Sequence, residues 1–400
     1  MNAIRYIARR YLFSKSGNNA INIIVKVASF GVMMVAAAFI IVLSGFSGIR
    51  TFNLDLIKMT DPEIKITPKK GKSFIFDKQI KQVLQNEKLI DRFAKVVEEK
   101  VFVTYNDKQK IAKIKGVDTN YYAVIPLDSA LFAGSLPQYQ SNELIMGISL
   151  ANELSFMLSG NSFETVQLMV PKPGKGFITD PRKAFYAKYF IPVGIYQTTS
   201  DHDHTYLYTD LAAAQELLHY QPRQISAIEI KAVSPDAVEK LQENLQAKIG
   251  KKFTVKNRRQ QNKLIYRMLN TENLMVYFIF TLILLLALFN IIGTVIMIII
   301  DKKEHIRTLR TLGLDLSEIK KIFMLQGFWM TFLSGLAGLV LGLILVFIQL
   351  KFPFLYIPQT SMPYPVEIHF SNIVWVVLTL LFMGALSTYI AVLSVDKSGK

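Results

Sequence analysis

The chain has 400 residues, of which 51% are hydrophobic, and its mean hydropathy is +0.29. This composition is typical of an integral membrane protein with room for two or three domains. The formal net charge is +16, but no block combines a basic stripe with interleaved aromatic residues, so nucleic-acid binding is not indicated. The chain has no cysteine, which excludes disulfides, thiolate metal sites, cysteine nucleophiles and thioether lipidation of the chain itself.

Residues 1–20 predict an amphipathic helix on the inner membrane surface, because basic residues occur there without acidic ones. The apolar residues on one face of this helix are Ile4, Ile7, Ala8 and Tyr11. Residues 27–48 contain no charge and predict a first membrane span. A cleaved signal peptide is the alternative, since small residues occur within the span, but the apolar run is too long for a signal core. The first predicted segment is therefore 1–48.

Residues 49–272 differ in kind from the apolar segments. Short alternating or β-rich runs occur at 63–67, 100–105, 165–170, 190–196 and 226–230. A helical pattern intervenes at 235–248, where apolar residues recur on one face. The segment therefore predicts a soluble α+β domain, in two lobes, between the first and second spans.

Two polar stretches of this domain leave alternatives open. The loop 172–188, rich in Pro, Gly and charge, is either a protruding contact arm or a solvated hairpin tip, and its candidate contact residues are Phe177, Ile178 and Arg182. The segment 201–204 holds two Asp and two His that could bind a metal. Without a third cluster, a polar turn before a strand is the better interpretation. No zinc-protease or serine-hydrolase motif occurs, so the sequence does not support catalysis.

A polar stalk at 257–272 leads into the second span. Its first polar residues are Asn257, Arg258, Gln261 and Asn262. No Pro or Gly occurs between 263 and 288, so one helix can continue from the stalk into the membrane. Three further spans are predicted by the charge-free segments 274–300, 322–350 and 373–395. Residues 273–400 are therefore predicted to form a three-helix transmembrane domain.

Small and polar residues within these spans predict helix contacts. Gly335, Gly338 and Gly342 lie in the third span, and the last two have the small-xxx-small spacing that lets membrane helices approach closely. Asn290 lies in the second span and is expected to face another helix, because an amide inside a bilayer needs a partner. A substrate contact is the alternative for Asn290.

The charged linker between the second and third spans, 301–321, predicts a contact site for a cytosolic partner. Apolar residues recur at i, i+3 and i+6 on one helical face and basic residues lie on the other. Gly313 fits the left-handed residue that ends a helix, and Asp315 with Glu318 fits a capping box that begins the next. The predicted coupling helix, about 302–313, includes Lys303, Glu304, Ile306, Arg307, Leu309, Arg310, Leu312 and Gly313. A basic loop that merely fixes topology is the alternative.

The basic residues beside the spans predict the orientation. They cluster in the N-terminal segment, the 301–321 linker and the tail, whereas the loop 351–370 has only Lys351. The positive-inside rule then places both termini and the linker in the cytoplasm, and the domain 49–272 outside.

The order of one span, a large external domain and three spans resembles the permease subunits of type VII ABC transporters, the group that contains FtsX and MacB. More narrowly, the chain resembles the LolC/LolE lipoprotein-releasing permeases. The matching segments are 7–12, 42–46, 257–262, 288–291, 306–313, 322–327 and 364–366. The chain lacks the N-terminal ATPase of MacB and has a larger external domain than FtsX, and both departures favour LolC/LolE.

The resemblance implies a non-catalytic inner-membrane permease with a MacB-type periplasmic core and no cofactor of its own. A separate cytosolic ATPase similar to LolD would bind ATP and dock on the 303–313 helix, and a second permease copy or a paralogue would complete a dimer. Lipoproteins would be extracted from membrane lipid and passed to a periplasmic chaperone similar to LolA, with the 172–188 loop as the candidate contact. An FtsX-like scaffold that regulates a periplasmic hydrolase and a MacB-like efflux permease remain alternatives.

Overall fold

The computed structural model describes residues 3–13, 19–158, 164–172, 184–198, 200–357 and 362–393. The chain divides into two compact units. One comprises Met1–Phe52 and Arg267–Lys400 and is helical, and the other, Asn53–Tyr266, is an α+β domain.

The helices and strands are numbered in chain order. The helices are α1 (Ala3–Phe13), α2 (Asn19–Thr60), α3 (Lys78–Gln85), α4 (Tyr121–Val124), α5 (Ile148–Leu154), α6 (Ser200–Thr205), α7 (Leu211–Leu217), α8 (Val238–Ile249), α9 (Arg258–Gln261), α10 (Lys263–Asp301), α11 (Lys303–Thr311), α12 (Leu316–Lys351) and α13 (Phe370–Val392). The strands are β1 (Ile64–Pro68), β2 (Phe74–Ile75), β3 (Ile90–Tyr105), β4 (Lys108–Val117), β5 (Leu131–Gly134), β6 (Glu143–Gly147), β7 (Val166–Pro171), β8 (Phe185–Tyr196), β9 (Tyr206–Asp210), β10 (Gln224–Ile225), β11 (Ala227–Ala232) and β12 (Phe253–Asn257).

Four helices within the described ranges, α2, α10, α12 and α13, are long and apolar enough to cross a membrane. The four predicted spans are thus found as helices. The helix α10 is unbroken from the stalk to Asp301, as the absence of Pro and Gly from its first half predicts. The last helical residue of α13 is Val392, and the final two residues of the predicted fourth span lie outside the described part of the chain.

An apolar core holds the helical unit together. It contains Phe39 and Ile40 of α2, Phe280 of α10 and Phe323 of α12. Phe39 and Phe280 stack with their ring centroids 4.5 Å apart. The amphipathic helix predicted at 1–20 is α1, in which Ala8 is buried while the neighbouring Arg9 and Arg10 are exposed.

The α+β unit is built on one mixed sheet, and the prediction of two lobes is wrong. Nine of its strands join in the order β12-β1-β11-β3-β4-β9-β6-β8-β5, and a tenth, β7, pairs with both β3 and β8. The reason is the length of β3, whose 16 residues pair with β11 at 90–96, with β4 at 96–105 and with β7 at 102–104. β3 therefore joins the strands on both of its edges into one sheet, and Asn53–Tyr266 form one compact unit.

The segment 201–204 is helix α6 and not the predicted polar turn. His202 is half-buried there, stacked on Tyr206 with ring centroids 4.4 Å apart, and its Nε2 lies 3.1 Å from the Tyr208 hydroxyl. Desolvation lowers the pKa of His202 to about 3, so the ring is neutral at ordinary pH. His202 is therefore held by packing against the tyrosines of β9.

Candidate functional site

The linker helix α11 is seated on the helical unit by one apolar edge. Ile306 is only 1% exposed, and Leu309 packs against the same apolar core as the spans. The opposite surface of the linker, which we call the docking surface, is exposed and consists of Lys303, Glu304, Arg307, Arg310, Leu312 and Gly313. It combines both signs of charge with one large apolar side chain, which is a composition suited to a protein partner.

Leu312 departs from the prediction. The i, i+3, i+6 pattern groups it with Ile306 and Leu309, yet its side chain is 72% exposed. The helix ends at Thr311, so Leu312 lies past the last turn, where the helical periodicity no longer sets its direction. Its exposure adds an apolar group to the docking surface.

The turn that follows is fixed by backbone hydrogen bonds. Gly313 has φ +91°, and its N–H donates to the Arg310 carbonyl at 3.0 Å while the Leu314 N–H donates to the Leu309 carbonyl at 3.1 Å. This pair is a Schellman motif, which satisfies carbonyls at the helix end. Asp315 and Glu318 then form a capping box that begins α12. These hydrogen bonds restrict the angle between α11 and α12.

The N-terminal helix α1 also touches the linker. The Tyr11 hydroxyl lies 3.3 Å from Nδ1 of His305, and the Tyr11 ring packs near Phe323 with centroids 6.2 Å apart. The Gln326 side-chain amide donates to the Tyr11 carbonyl at 3.4 Å. The sequence pattern gave no sign of this contact, since the two segments are almost 300 positions apart and neither has a motif that pairs them.

The stalk residues fasten the two ends of the α+β unit together. The Asn262 amide donates to the Asp61 carboxylate at 2.6 Å, and the Arg258 Nε donates to the Asp61 carbonyl at 3.0 Å. The Gln261 amide donates to the Pro62 carbonyl at 3.2 Å. Asn257 caps α9 by accepting from the Gln260 N–H and completes a capping box. The chain that enters the domain after α2 is thus hydrogen-bonded to the chain that leaves it before α10. We call this set of contacts, made by Asp61 and Pro62 with Arg258, Gln261 and Asn262, the clamp.

Burial marks this clamp as a structural joint. Desolvation raises the pKa of the Asp61 carboxyl, although the Asn262 hydrogen bond opposes the shift. Desolvation likewise lowers the pKa of Arg258. These half-buried groups depend on each other for hydrogen bonds, because a polar atom that is partly withdrawn from water and unpaired costs free energy.

The glycines of α12 allow close helix contact. A Cβ at Gly338 would overlap the backbone carbonyl of Met33 in α2, and one at Gly342 would lie 2.8 Å from the Ala37 carbonyl oxygen. A Cβ at Gly335 would come within 2.7 Å of Leu380 in α13. One face of α12 therefore meets the first span and another the fourth.

Asn290 lies on α10 with its amide nitrogen 3.4 Å from the position that a Cβ of Gly31 would take on α2. Its backbone carbonyl accepts from the Thr294 hydroxyl at 2.9 Å. The side chain is nevertheless exposed. Asn290 therefore faces α2, and part of its side chain is also exposed.

The candidate chaperone-contact residues Phe177, Ile178 and Arg182 lie outside the described residues. The predicted loop 172–188 is too long at its C-terminal end, because β8 begins at Phe185 and pairs with β7 from there.

The sequence pattern did not predict that the loop between α12 and α13 packs against α2. Its Glu367 N–H donates to the Ser44 carbonyl of α2 at 2.9 Å, and the backbone of Pro365 presses on Gly48. The Asn372 amide donates to the Ser47 hydroxyl at 2.9 Å. The matching segment 364–366 was the one available signal, since it resembles a family motif without indicating what it touches.

Comparison with known proteins gives the following similarities. Residues 277–398 match the family model described as FtsX-like permease C-terminal. The chain is 26% identical over 355 residues to the lipoprotein-releasing system transmembrane protein LolE of Haemophilus influenzae, which covers 86% of this chain and 82% of that protein. It is 25% identical over 391 residues to the lipoprotein-releasing system transmembrane protein LolC of Buchnera aphidicola subsp. Schizaphis graminum, which covers 96% and 94%.

A solved structure, the periplasmic region of MacB from Actinobacillus actinomycetemcomitans, aligns with 17% identity and a TM-score of 0.35 over 54% of this chain and 96% of that one. The resemblance to the LolC/LolE lipoprotein-releasing permeases indicated by the sequence motifs is confirmed by the relatives that match most of the chain, and the C-terminal part is FtsX-like.

Proposed function

We propose that this chain is the permease subunit of an ABC transporter that extracts lipoproteins from the outer leaflet of the bacterial inner membrane. A separate cytosolic ATPase similar to LolD drives the process, and a periplasmic chaperone similar to LolA receives the lipoprotein. The chain itself performs no catalysis and needs no cofactor, because ATP is bound by the partner. The similarity to LolC and LolE over most of the chain supports this assignment.

The observation that favours an ATP-driven permease is the way the linker is built. Ile306 and Leu309 seat α11 on the spans, while the docking surface points away from them. The hydrogen-bonded turn at Gly313 joins α11 to α12 with little slack. A partner that moves α11 will therefore move α12, and such coupling is what a remote ATPase requires.

The clamp supports transmission of helix movement to the α+β unit, which is the second step of the proposed mechanism. Through Asp61, Asn262 and Arg258 the connections from α2 and into α10 are held to each other. A displacement of either helix end is then shared by both connections at the base of the α+β unit. The proposed periplasmic domain, 49–272, would respond as one body because its sheet is continuous.

Lipoprotein release needs both work and an apolar receiver. Moving an acyl chain from bilayer to water costs about 0.8 kcal/mol per CH₂ group. A lipid with several chains is therefore retained unless energy is supplied and a carrier shields the chains. The exposed apolar faces of the first and second spans, which include Phe30, Met34, Phe278 and Leu286, fit a cavity shared with lipid and a second permease copy or a paralogue.

Depletion of the protein in its native cell tests the assignment. We expect lipoproteins to accumulate in the inner membrane, as measured by fractionation and mass spectrometry. Normal lipoprotein sorting with failed cell separation would instead support an FtsX-like scaffold that regulates a hydrolase. Normal sorting with increased drug sensitivity would support MacB-like efflux.

Topology mapping tests the orientation independently. The chain has no cysteine, so single cysteines can be introduced without background. We expect His305→Cys to be labelled only from the cytoplasm and Thr205→Cys only from the periplasm. Labelling of both from one side would contradict the proposed positions of the ATPase and the external domain.

A further inference from the structure

In the loop that joins α12 to α13, the described residues 352–357 and 362–369 form two arms that pair with each other. The Ile357 N–H donates to the Met362 carbonyl and the Tyr364 N–H to the Leu355 carbonyl, each at 2.9 Å. Tyr356 and Pro363 form a bridge between the two arms. We call this element the interspan hairpin.

A single buried side chain makes hydrogen bonds to the backbone groups at the base of the hairpin. Gln349 of α12 is only 4% exposed. Its Nε2 donates to the carbonyls of Leu355 at 2.9 Å and Tyr364 at 3.2 Å, and its Oε1 accepts from the N–H groups of Phe354 and Leu355 at 3.1 Å. Backbone groups that would otherwise need water are therefore paired inside the protein.

The outward surface of the interspan hairpin is apolar. No charged residue occurs between Phe352 and Val366. The exposed fractions are 76% for Phe352, 55% for Phe354 and 54% for Tyr356, and the helix after the hairpin begins with Phe370 at 79%. Leu355 and Met362 are exposed as well. So many apolar side chains facing outward on one short loop indicate a binding surface.

The position of the hairpin identifies what covers this surface. Phe352 directly follows the last residue of α12, and Phe370 is the first residue of α13, so both ends of the hairpin lie at the limits of membrane-spanning helices. Aromatic residues concentrate at this level of a bilayer. Backbone within or beside the hydrocarbon must have its hydrogen bonds satisfied internally, which Gln349 provides here.

We propose that the interspan hairpin is a lipid-binding wedge, whose aromatic side chains insert between the headgroups and acyl chains of the leaflet in which α12 ends and α13 begins. The hairpin is fastened to α2 at Ser44 and Gly48 through Glu367 and Pro365, so the wedge and this part of α2 move together. This lipid contact does not depend on which cargo is transported.

Fluorescence quenching in vesicles tests the proposal. The full-length protein, with Phe354→Cys labelled by an environment-sensitive dye, is placed in vesicles of phosphatidylcholine and phosphatidylglycerol. The matched control is Phe132→Cys, which is 63% exposed on β5 of the α+β unit. Lipids that carry a nitroxide near the headgroup quench from the bilayer, and iodide quenches from water.

We expect the lipid nitroxide to remove roughly half of the signal at position 354 and iodide to quench it about fivefold less than at position 132, as for a group buried at the acyl boundary. Tyr356→Cys should behave in the same way and guards against a local effect of one substitution. Iodide quenching equal to that at 132 would place the hairpin in water and overturn the proposal. Shielding from both quenchers would show that protein, such as a second copy, covers the hairpin, and would overturn it equally.

Discussion

The substitution Gly338→Ala probes the closest contact between the first and third spans. The added Cβ would overlap the carbonyl oxygen of Met33 and lie 2.8 Å from the carbonyl carbon and 2.9 Å from the Cα. All three are backbone atoms, so no side chain can rotate away and the helices themselves must separate. Overpacking of this kind costs about 1–3 kcal/mol.

A matched control exists on α10. A Cβ at Gly293 would meet no atom within 4 Å, so Gly293→Ala adds the same group to open space. Alanine favours a helix by up to about 1 kcal/mol over glycine, so this variant should be neutral or slightly more stable. The same gain offsets part of the cost at Gly338, and we expect a net loss of about 1–2 kcal/mol there.

The assay is equilibrium unfolding of the full-length protein by sodium dodecyl sulfate in mixed micelles, followed by the fluorescence of Trp329 and Trp375. A loss of about 1.4 kcal/mol shifts the folding equilibrium about tenfold, which this titration resolves. We expect a lower midpoint for Gly338→Ala than for the wild type and no reduction for Gly293→Ala. Equal midpoints for the two variants would refute the close contact between α12 and α2.

Three further predictions concern the linker, the clamp and the domain interior. Leu309→Asp places a carboxylate against the apolar core and should abolish stimulation of the partner ATPase without blocking membrane insertion. Full stimulation in this variant would contradict the seating of α11. Leu312→Asp alters only the docking surface and should weaken ATPase binding in pull-downs. Asn262→Ala removes the donor to the half-buried Asp61 carboxylate. It should speed hydrogen exchange at the α2–β1 junction about thirtyfold, given about 2 kcal/mol for a hydrogen bond to a charged group. Unchanged exchange would argue against a clamp. Lowering the pH from 6.5 to about 5 should destabilise the α+β unit by about 2 kcal/mol in thermal melts, because folding lowers the pKa of His202 from 6.5 to about 3. The contribution of His202 to stability is therefore full above pH 6.5 and is lost as the pH falls. His202→Phe should reduce this dependence of stability on pH.

Features set by neighbouring residues could be predicted from the sequence. The left-handed Gly313 and the capping box of Asp315 and Glu318 depend on only a few adjacent positions, and the structure has both. The four spans follow from uninterrupted apolar runs, which require no knowledge of tertiary contacts. Local chemistry was enough in these cases because the partner atoms lie within one helical turn.

Features that depend on distant residues could not be predicted. The exposure of Leu312 depends on where α11 ends, and helix ends are the least certain part of a periodic pattern. The contacts of Tyr11 with His305 and of Glu367 with Ser44 join segments that no motif relates. The single sheet results from the unusual length of β3, which the sequence pattern at 100–105 captures only at its C-terminal end.

The stiff turn at Gly313 has a geometric consequence for α12. This helix has 36 residues and, at 1.5 Å per residue, a length of about 54 Å. A tilt of only about 5° at its base would swing the opposite tip by about 5 Å, and Gln349 sits near that tip. A small angular change at the start of α12 is therefore amplified into a sideways displacement of the aromatic hairpin and of the part of α2 bound to it.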